Sequence, residues 1–129
     1  MSKIPEGLKY SKEHEWVRVD GGKAYVGITD YAQDQLGDVV FVELPEVGEE
    51  FKANERFGVI ESVKAVADVY LPVTGAVVEI NEALLDSPEL LNDDPYGEGW
   101  MVVVSVADEG ELEDLFTAGE YGKFLQEEP

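Results

Sequence analysis

Apolar and polar residues alternate from Glu15 to Val19 and again from Lys23 to Ile28, the two-residue period of half-buried strands, and Asp20-Gly21-Gly22 between them suits a hairpin turn. The period then lengthens. Asp30 can cap a helix over Tyr31–Leu36, and Gly37 stands where a glycine would end it. Strand patterning resumes at Asp38–Leu44, Arg56–Glu61, Ala65–Leu71 and Gly75–Ile80. A loop-rich stretch follows up to Gly99, and Trp100–Val106 reads as the last strong strand. Asp108 with Glu111 and Thr117 with Glu120 each match a capping box, predicting short helices near 109–116 and 118–126. The pattern is mainly β. It predicts a flattened barrel or sandwich with its core over about 23–106, short peripheral helices and a C-terminal helical segment over about 108–126.

Within this pattern the chain repeats itself. Leu44-Pro45-Glu46-Val47-Gly48 and Leu71-Pro72-Val73-Thr74-Gly75 share the form L-P-x-x-G at an offset of 27 residues, and Val42 and Val69 match at the same offset. In each copy a glycine follows a proline-started turn, where a positive φ costs little. Two β-halves related by a rough two-fold, each burying its apolar face on the other, solve the marginal stability of a lone hairpin. Between the two motifs lies Glu61-Ser62-Val63-Lys64, short and polar enough to be the turn joining the strands on either side. That places Lys64 at a hairpin tip. Strand packing asks for no lysine there, so its amine is either a solvated turn charge or a group presented to a modifying enzyme.

Composition narrows the field. A chain of 129 residues with 44% apolar content matches one domain over 1–129. No apolar run reaches membrane-spanning length, and Met1-Ser2-Lys3-Ile4-Pro5-Glu6 resembles neither a secretory signal nor a transit peptide, so a cytoplasmic address is expected; a monomer is expected as well, though no motif marks the oligomeric state. With no cysteine, any redox sulfur must come from a cofactor. Nine Lys and Arg against 29 Asp and Glu give a net charge of −20, dense at Glu46–Glu50, Asp108–Asp114 and Glu127-Glu128. Nucleic acid and anionic membrane are disfavoured as partners. The acidity serves solubility or steers the chain to basic rims on partner enzymes, and a saline habitat would also account for its excess.

Other clusters carry less. His14, the only histidine, stands between Glu13 and Glu15, but neighbours on a strand face opposite ways, so the three converge on one ion only if the chain bends. Ser62 and Lys64 have no accompanying oxyanion or pocket signature that would make a Ser–Lys dyad. Asn92-Asp93-Asp94 lacks the spacing of a calcium loop.

A hairpin lysine with Gly75 eleven residues after it and Gly48 sixteen before it resembles a biotinyl or lipoyl carrier domain. Glu61-Ser62-Val63-Lys64-Ala65 is neither the Met-Lys-Met of biotin carriers nor the Asp-Lys-Ala of 2-oxo acid dehydrogenase domains. It is similar to the H protein of the glycine cleavage system. Tyr10–Val17, Gly27–Gln33, Leu36–Val42, Asn92–Tyr96 and Gly99-Trp100-Met101 agree with that family in the same order, so the resemblance covers nearly the whole chain.

The resemblance implies a barrel-sandwich hybrid of two quasi-symmetric β-halves and a carrier rather than an enzyme. Lys64 would hold lipoate through an amide. The lipoyl arm would take the aminomethyl group of glycine from the pyridoxal-phosphate-dependent glycine decarboxylase (P protein) to the tetrahydrofolate-dependent aminomethyltransferase (T protein). Dihydrolipoamide dehydrogenase (L protein) would then reoxidise it. A lipoate–protein ligase or a lipoyl/octanoyl transferase would attach the arm, with Glu61, Gly48 and Gly75 in recognition. Glu15 and Asp68 would line the cleft that shelters the loaded arm, pairing with its amine, whereas Gln35 and Glu13 depart from the histidine and serine of some relatives. A relay that donates lipoate to other complexes, and an unmodified acidic interaction protein, are the alternatives.

Overall fold

A computed structural model describes residues 3–127. Met1, Ser2, Glu128 and Pro129, which include the ends of the expected 1–129 domain and the last acidic residue, lie outside the described residues. The strands are β1 (Lys9–Tyr10), β2 (Glu15–Asp20), β3 (Lys23–Ile28), β4 (Val39–Glu43), β5 (Glu50–Phe51), β6 (Arg56–Ser62), β7 (Val66–Tyr70), β8 (Gly75–Ile80) and β9 (Val102–Val106). They form a six-stranded sheet in the order β1-β2-β3-β9-β8-β5 and a three-stranded sheet in the order β4-β6-β7. Every pairing is antiparallel.

The inward side chains of both sheets meet in one core. Val26, Val77, Val102 and Val104 from the larger sheet pack with Val42, Ile60 and Val69 from the smaller, all close to fully buried. A second cluster fills the space under the C-terminal helix α4 (Ala118–Glu127), where Tyr10 and Tyr121 stack at 4.8 Å between ring centroids. Trp16 belongs to this cluster and lies directly on Gly27, whose absent side chain would stand 2.8 Å from the indole. The indole N–H donates to the carbonyl of Pro95 at 2.9 Å, so the bulkiest core residue leaves no polar atom unpaired.

The 27-residue repeat has a structural meaning. Val42 and Val69 occupy β4 and β7, the outer strands on either side of β6, and both are buried. Each strand leaves the smaller sheet through its L-P-x-x-G turn and enters the larger one, where the two copies pair with each other: Glu50 faces Ala76 and Phe51 faces Gly75. Gly48 N–H donates to Val77 C=O, and Val77 N–H to Glu49 C=O, both at 2.8 Å. The two copies pair antiparallel, the sense that a rough two-fold between them requires.

The two repeat glycines nevertheless serve different ends. Gly48 has φ +99° and open space where a side chain would stand, as the turn reading expects. Gly75 does not take a positive φ. It is the first residue of β8, and a Cβ there would lie 2.1 Å from the carbonyl oxygen of Ser105 on β9. Close strand approach, not turn geometry, demands that glycine.

Element boundaries also shift. The cap of helix α1 (Asp30–Leu36) is Thr29, whose hydroxyl accepts from Ala32 N–H at 3.2 Å, while Asp30 sits in the first turn. Its end at Gly37 is as expected, with φ +80°. The last strand begins at Val102, because Met101 N–H donates to Val26 C=O outside the regular ladder. The loop-rich stretch contains two single-turn helices, α2 (Ala83–Asp86) and α3 (Leu90–Asp93), that bury Leu84 and Leu91. The segment after Asp108 is a 3₁₀ helix, Glu109–Asp114, and the Thr117–Glu120 box opens α4 with its reciprocal hydrogen bonds. β1 and β5, at two residues each, are too short to carry a readable period.

The contrast between the repeat glycines is measurable by urea unfolding. Gly75→Ala is expected to cost roughly 3 kcal/mol because a rigid backbone carbonyl must move. Gly48→Ala, strained only in φ, is expected to cost roughly 1 kcal/mol.

Candidate functional site

The β6–β7 hairpin builds the site. Glu61 and Val66 form its last strand pair, and beyond them Ser62 N–H donates to Ala65 C=O at 2.8 Å. The Ser62 hydroxyl oxygen accepts from Ala65 N–H at 3.0 Å and from Lys64 N–H at 3.3 Å, so one small side chain closes the turn. Val63 N–H reaches Asp38 C=O at 3.0 Å and fastens the tip to the segment entering β4. The turn is therefore Ser62–Ala65, tighter than the sequence suggests: Glu61 is a half-buried strand residue of β6, not a turn acid.

Lys64 is exposed at this tip, and its methylenes run over Gly37. A Cβ at Gly37 would stand 3.2 Å from Lys64 Cε. Gly37 is held in turn by Asn92 of α3, whose amide donates to Gly37 C=O at 2.8 Å and to Gln33 Oε1 at 3.0 Å, and whose oxygen accepts from Val39 N–H at 2.8 Å. Asn92 thus pins the end of α1 and the start of β4 beside the lysine. In sequence it stood out only as part of a motif and as a rejected calcium ligand; its spacing carries no sign of this role.

Beside the hairpin, between α1, β7 and the bend before β2, opens a cleft of about 410 Å³. Ile28, Leu36, Ile60 and Val69 give it apolar walls. Glu15 and Asp68 both line it, as do Glu13, His14 and Gln35. The three residues Glu13-His14-Glu15 converge because His14 adopts a left-handed conformation, φ +71°, in a bend closed by His14 N–H to Ser11 C=O at 3.0 Å. The alternation of strand faces does not apply at that bend. Among the described residues no cluster of His, Cys, Asp or Glu is arranged to hold a metal ion. His14 Nδ1 instead meets the Tyr121 hydroxyl at 2.8 Å, and burial lowers its affinity for a proton.

Of the three carboxyls that line the cleft, Glu15 and Asp68 differ in kind. Glu15 is only 2% exposed; it accepts from the Ser11 hydroxyl at 2.5 Å and from Tyr70 N–H at 3.2 Å, and burial pushes it up to about 7. Asp68 stands on the edge strand β7, 45% exposed, with Arg56 at 3.5 Å in an ion pair that solvent screens. One side of the cleft therefore holds a carboxyl poised between its charged and neutral forms, the other a solvated anion. Gly48 and Gly75 are not brought near Lys64. They lie beyond the Arg56–Tyr70 end of the hairpin, six strand residues or roughly 20 Å from its tip.

An exposed lysine on a tight hairpin tip, two sheets exchanging strands through a repeated turn, and an apolar-walled cleft beside the tip define a carrier domain of the lipoyl type. The model of the glycine cleavage H-protein family matches residues 8–128, and the chain belongs to that family, the lipoyl carrier of the glycine cleavage system. It is 60% identical to the glycine cleavage system H protein of Halothermothrix orenii, over 96% of this chain and 97% of that one. Against the H protein of Carboxydothermus hydrogenoformans the identity is 56%, over 99% and 98%. The crystal structure of the H protein from Mycobacterium marinum superposes with a TM-score of 0.88 at 43% identity, covering 95% of this chain and 99% of that one. The chain is thus a carrier component whose function entails contact with the other components of that system. Among the described residues no helix is long and apolar enough to cross a membrane.

The environment of Glu15 sets a pH dependence. Its folded affinity for a proton lies above the unfolded one, so between about pH 4.5 and 7 the folded state binds more protons and stability falls as pH rises. Glu15→Gln removes that dependence. The stability of the variant relative to the parent is expected to climb by up to about 3 kcal/mol across that window and to stay flat outside it, as read from urea unfolding at a series of pH values.

Proposed function

We propose that Lys64 is the residue that carries lipoate and that the loaded arm lies in the cleft lined by Glu15 and Asp68. The observation that carries this reading is the placement of Lys64: exposed at a rigid tip, its side chain laid over Gly37, one residue from the cleft wall at Leu36. The residues fit the group. The apolar walls suit a hydrocarbon chain, and a cleft of about 410 Å³ has room for it. When bound, the dithiolane supplies the reversible sulfur chemistry that a chain without cysteine lacks.

The chain's own residues position and protect. Ser62 and Asn92 fix the base of the arm, so its reach is set by the arm alone. Glu15, poised near neutrality and already holding Ser11 and Tyr70 N–H, takes the amine of the cargo as a charge-assisted partner, with Asp68 as the second carboxylate at the rim. Leu36, Ile60 and Val69 keep water from the cargo. The cargo passes from the glycine decarboxylase to the aminomethyltransferase, and dihydrolipoamide dehydrogenase restores the carrier. A lipoate–protein ligase or a lipoyl/octanoyl transferase attaches the arm, with Glu61 next to the tip as an acidic contact. Gly48 and Gly75 support attachment through the frame where the repeat copies pair. The chain acts as a cytoplasmic monomer.

Intact mass before and after incubation with lipoate, ATP and a lipoate–protein ligase tests the attachment site. One lipoyl increment is expected on the parent chain and none on folded Lys64→Ala or Lys64→Arg. An increment that survives in Lys64→Arg would place the arm elsewhere.

A further inference from the structure

Around the tip the surface is unusually apolar for so acidic a chain. Eight large apolar side chains are exposed among the described residues, and four of them, Val40, Phe41, Val63 and Val66, belong to the hairpin or the strand beside it. Val63 and Val66, at 70% and 68%, are the most exposed of all. Register brings three residues into one row across the outer face of the smaller sheet: Phe41 opposite Glu61, and Glu61 opposite Val66. The next row inward, Val42, Ile60 and Ala67, faces the other way. A β-bulge between Val39 and Phe41 gives β4 an extra residue, and Val40 stands 54% exposed there.

We infer that this patch is the docking surface for the enzyme that acylates Lys64, and that the enzyme meets it with an apolar depression rimmed by basic residues. The inference rests on Lys64 being the attachment site. Two observations choose the occupant. The first is continuity: Lys64 lies between Val63 and Val66, so an enzyme that works on Nζ must cover both, whereas an enzyme that works on the far end of a flexible arm need not. The second is charge. Glu61 sits within the patch and Asp38 and Glu43 flank it on β4 and its approach, with no cationic partner within 4.0 Å among the described residues, and the chain as a whole carries −20, so a second copy of itself is repelled and a basic rim is attracted. In the reaction the acyl carbon of an activated lipoate bonds to Nζ and its bond to the leaving adenylate breaks. The lysine ammonium gives two protons to the medium. The amide is uncharged, so the finished surface loses its central cation and differs in charge from the surface the enzyme took up.

The test is the steady-state rate of lipoylation by a recombinant lipoate–protein ligase with lipoate and ATP, followed by intact mass, for the parent chain, Phe41→Ser, Val66→Ser and the double variant. Val78→Ser, exposed on β8 away from the hairpin, is the control. Circular dichroism and thermal unfolding check that each variant folds, and Val63→Ser, at the solvent-exposed tip, replaces any that does not. The expected result is a KM for the carrier raised tenfold or more in the double variant, with kcat within twofold of the parent and the control unchanged. KM for the parent is also expected to rise with salt. An unchanged KM in the folded double variant overturns the docking surface while leaving Lys64 as the attachment site. Failure of the parent to accept any acyl group overturns both. Sedimentation that shows a parent dimer dispersed by the same substitutions overturns the assignment of the occupant in favour of a second copy.

Discussion

The buried carboxyl of Glu15 is the constraint around which the site is organised. It stands at the start of β2 in the larger sheet and accepts Tyr70 N–H from the edge strand of the smaller one, so a single side chain spans the two sheets at the floor of the cleft. A carboxyl this deep costs free energy when ionised, and Ser11 and Tyr70 offset only part of that cost. An apolar residue would fill the same space at lower cost. Under the proposed reading the position is a compromise between stability and function: a carboxyl poised near neutrality that a cationic cargo would draw into its ionised form.

The rest of the architecture serves to keep that cleft and Lys64 in fixed relation. The repeat copies cross from one sheet to the other and pair, which holds the smaller sheet at its far end. At the near end Asn92 ties α1 to β4, and Val63 N–H ties the tip to Asp38. The bend at His14 brings Glu13, His14 and Glu15 to the cleft, and the hydroxyl of Tyr121 holds the imidazole from the α4 side. Each anchor uses polar atoms that are satisfied within the chain, and together they fix the backbone on which Lys64 stands.

Much of this was legible beforehand because strands with a clean two-residue period, the Asp20-Gly21-Gly22 turn and the L-P-x-x-G repeat are local signals. The place of Lys64 at a hairpin tip was legible because a short polar stretch interrupts two apolar runs there. The pairing of Glu15 and Asp68 in one cleft came from family likeness, and the structure places both there. What escaped detection was set by contacts distant in sequence. Gly75 needs its missing side chain because of Ser105, thirty residues on, and Asn92 matters because of Gly37 and Val39. The cap at Thr29 was hidden by Asp30, an equally good capping residue one position later. The bend at His14 has no glycine or proline to announce it.

The central claim is that the cleft carboxyl receives the cargo's amine. It is tested most directly by ¹³C NMR titration of the Glu15 carboxyl, first in the unmodified chain and then in the lipoylated chain charged by glycine decarboxylase with glycine. A midpoint near 7 is expected in the first case, with a clear fall in the second as the amine stabilises the carboxylate. The same midpoint in both would mean that the arm rests elsewhere and that Glu15 is only a structural tie between the sheets.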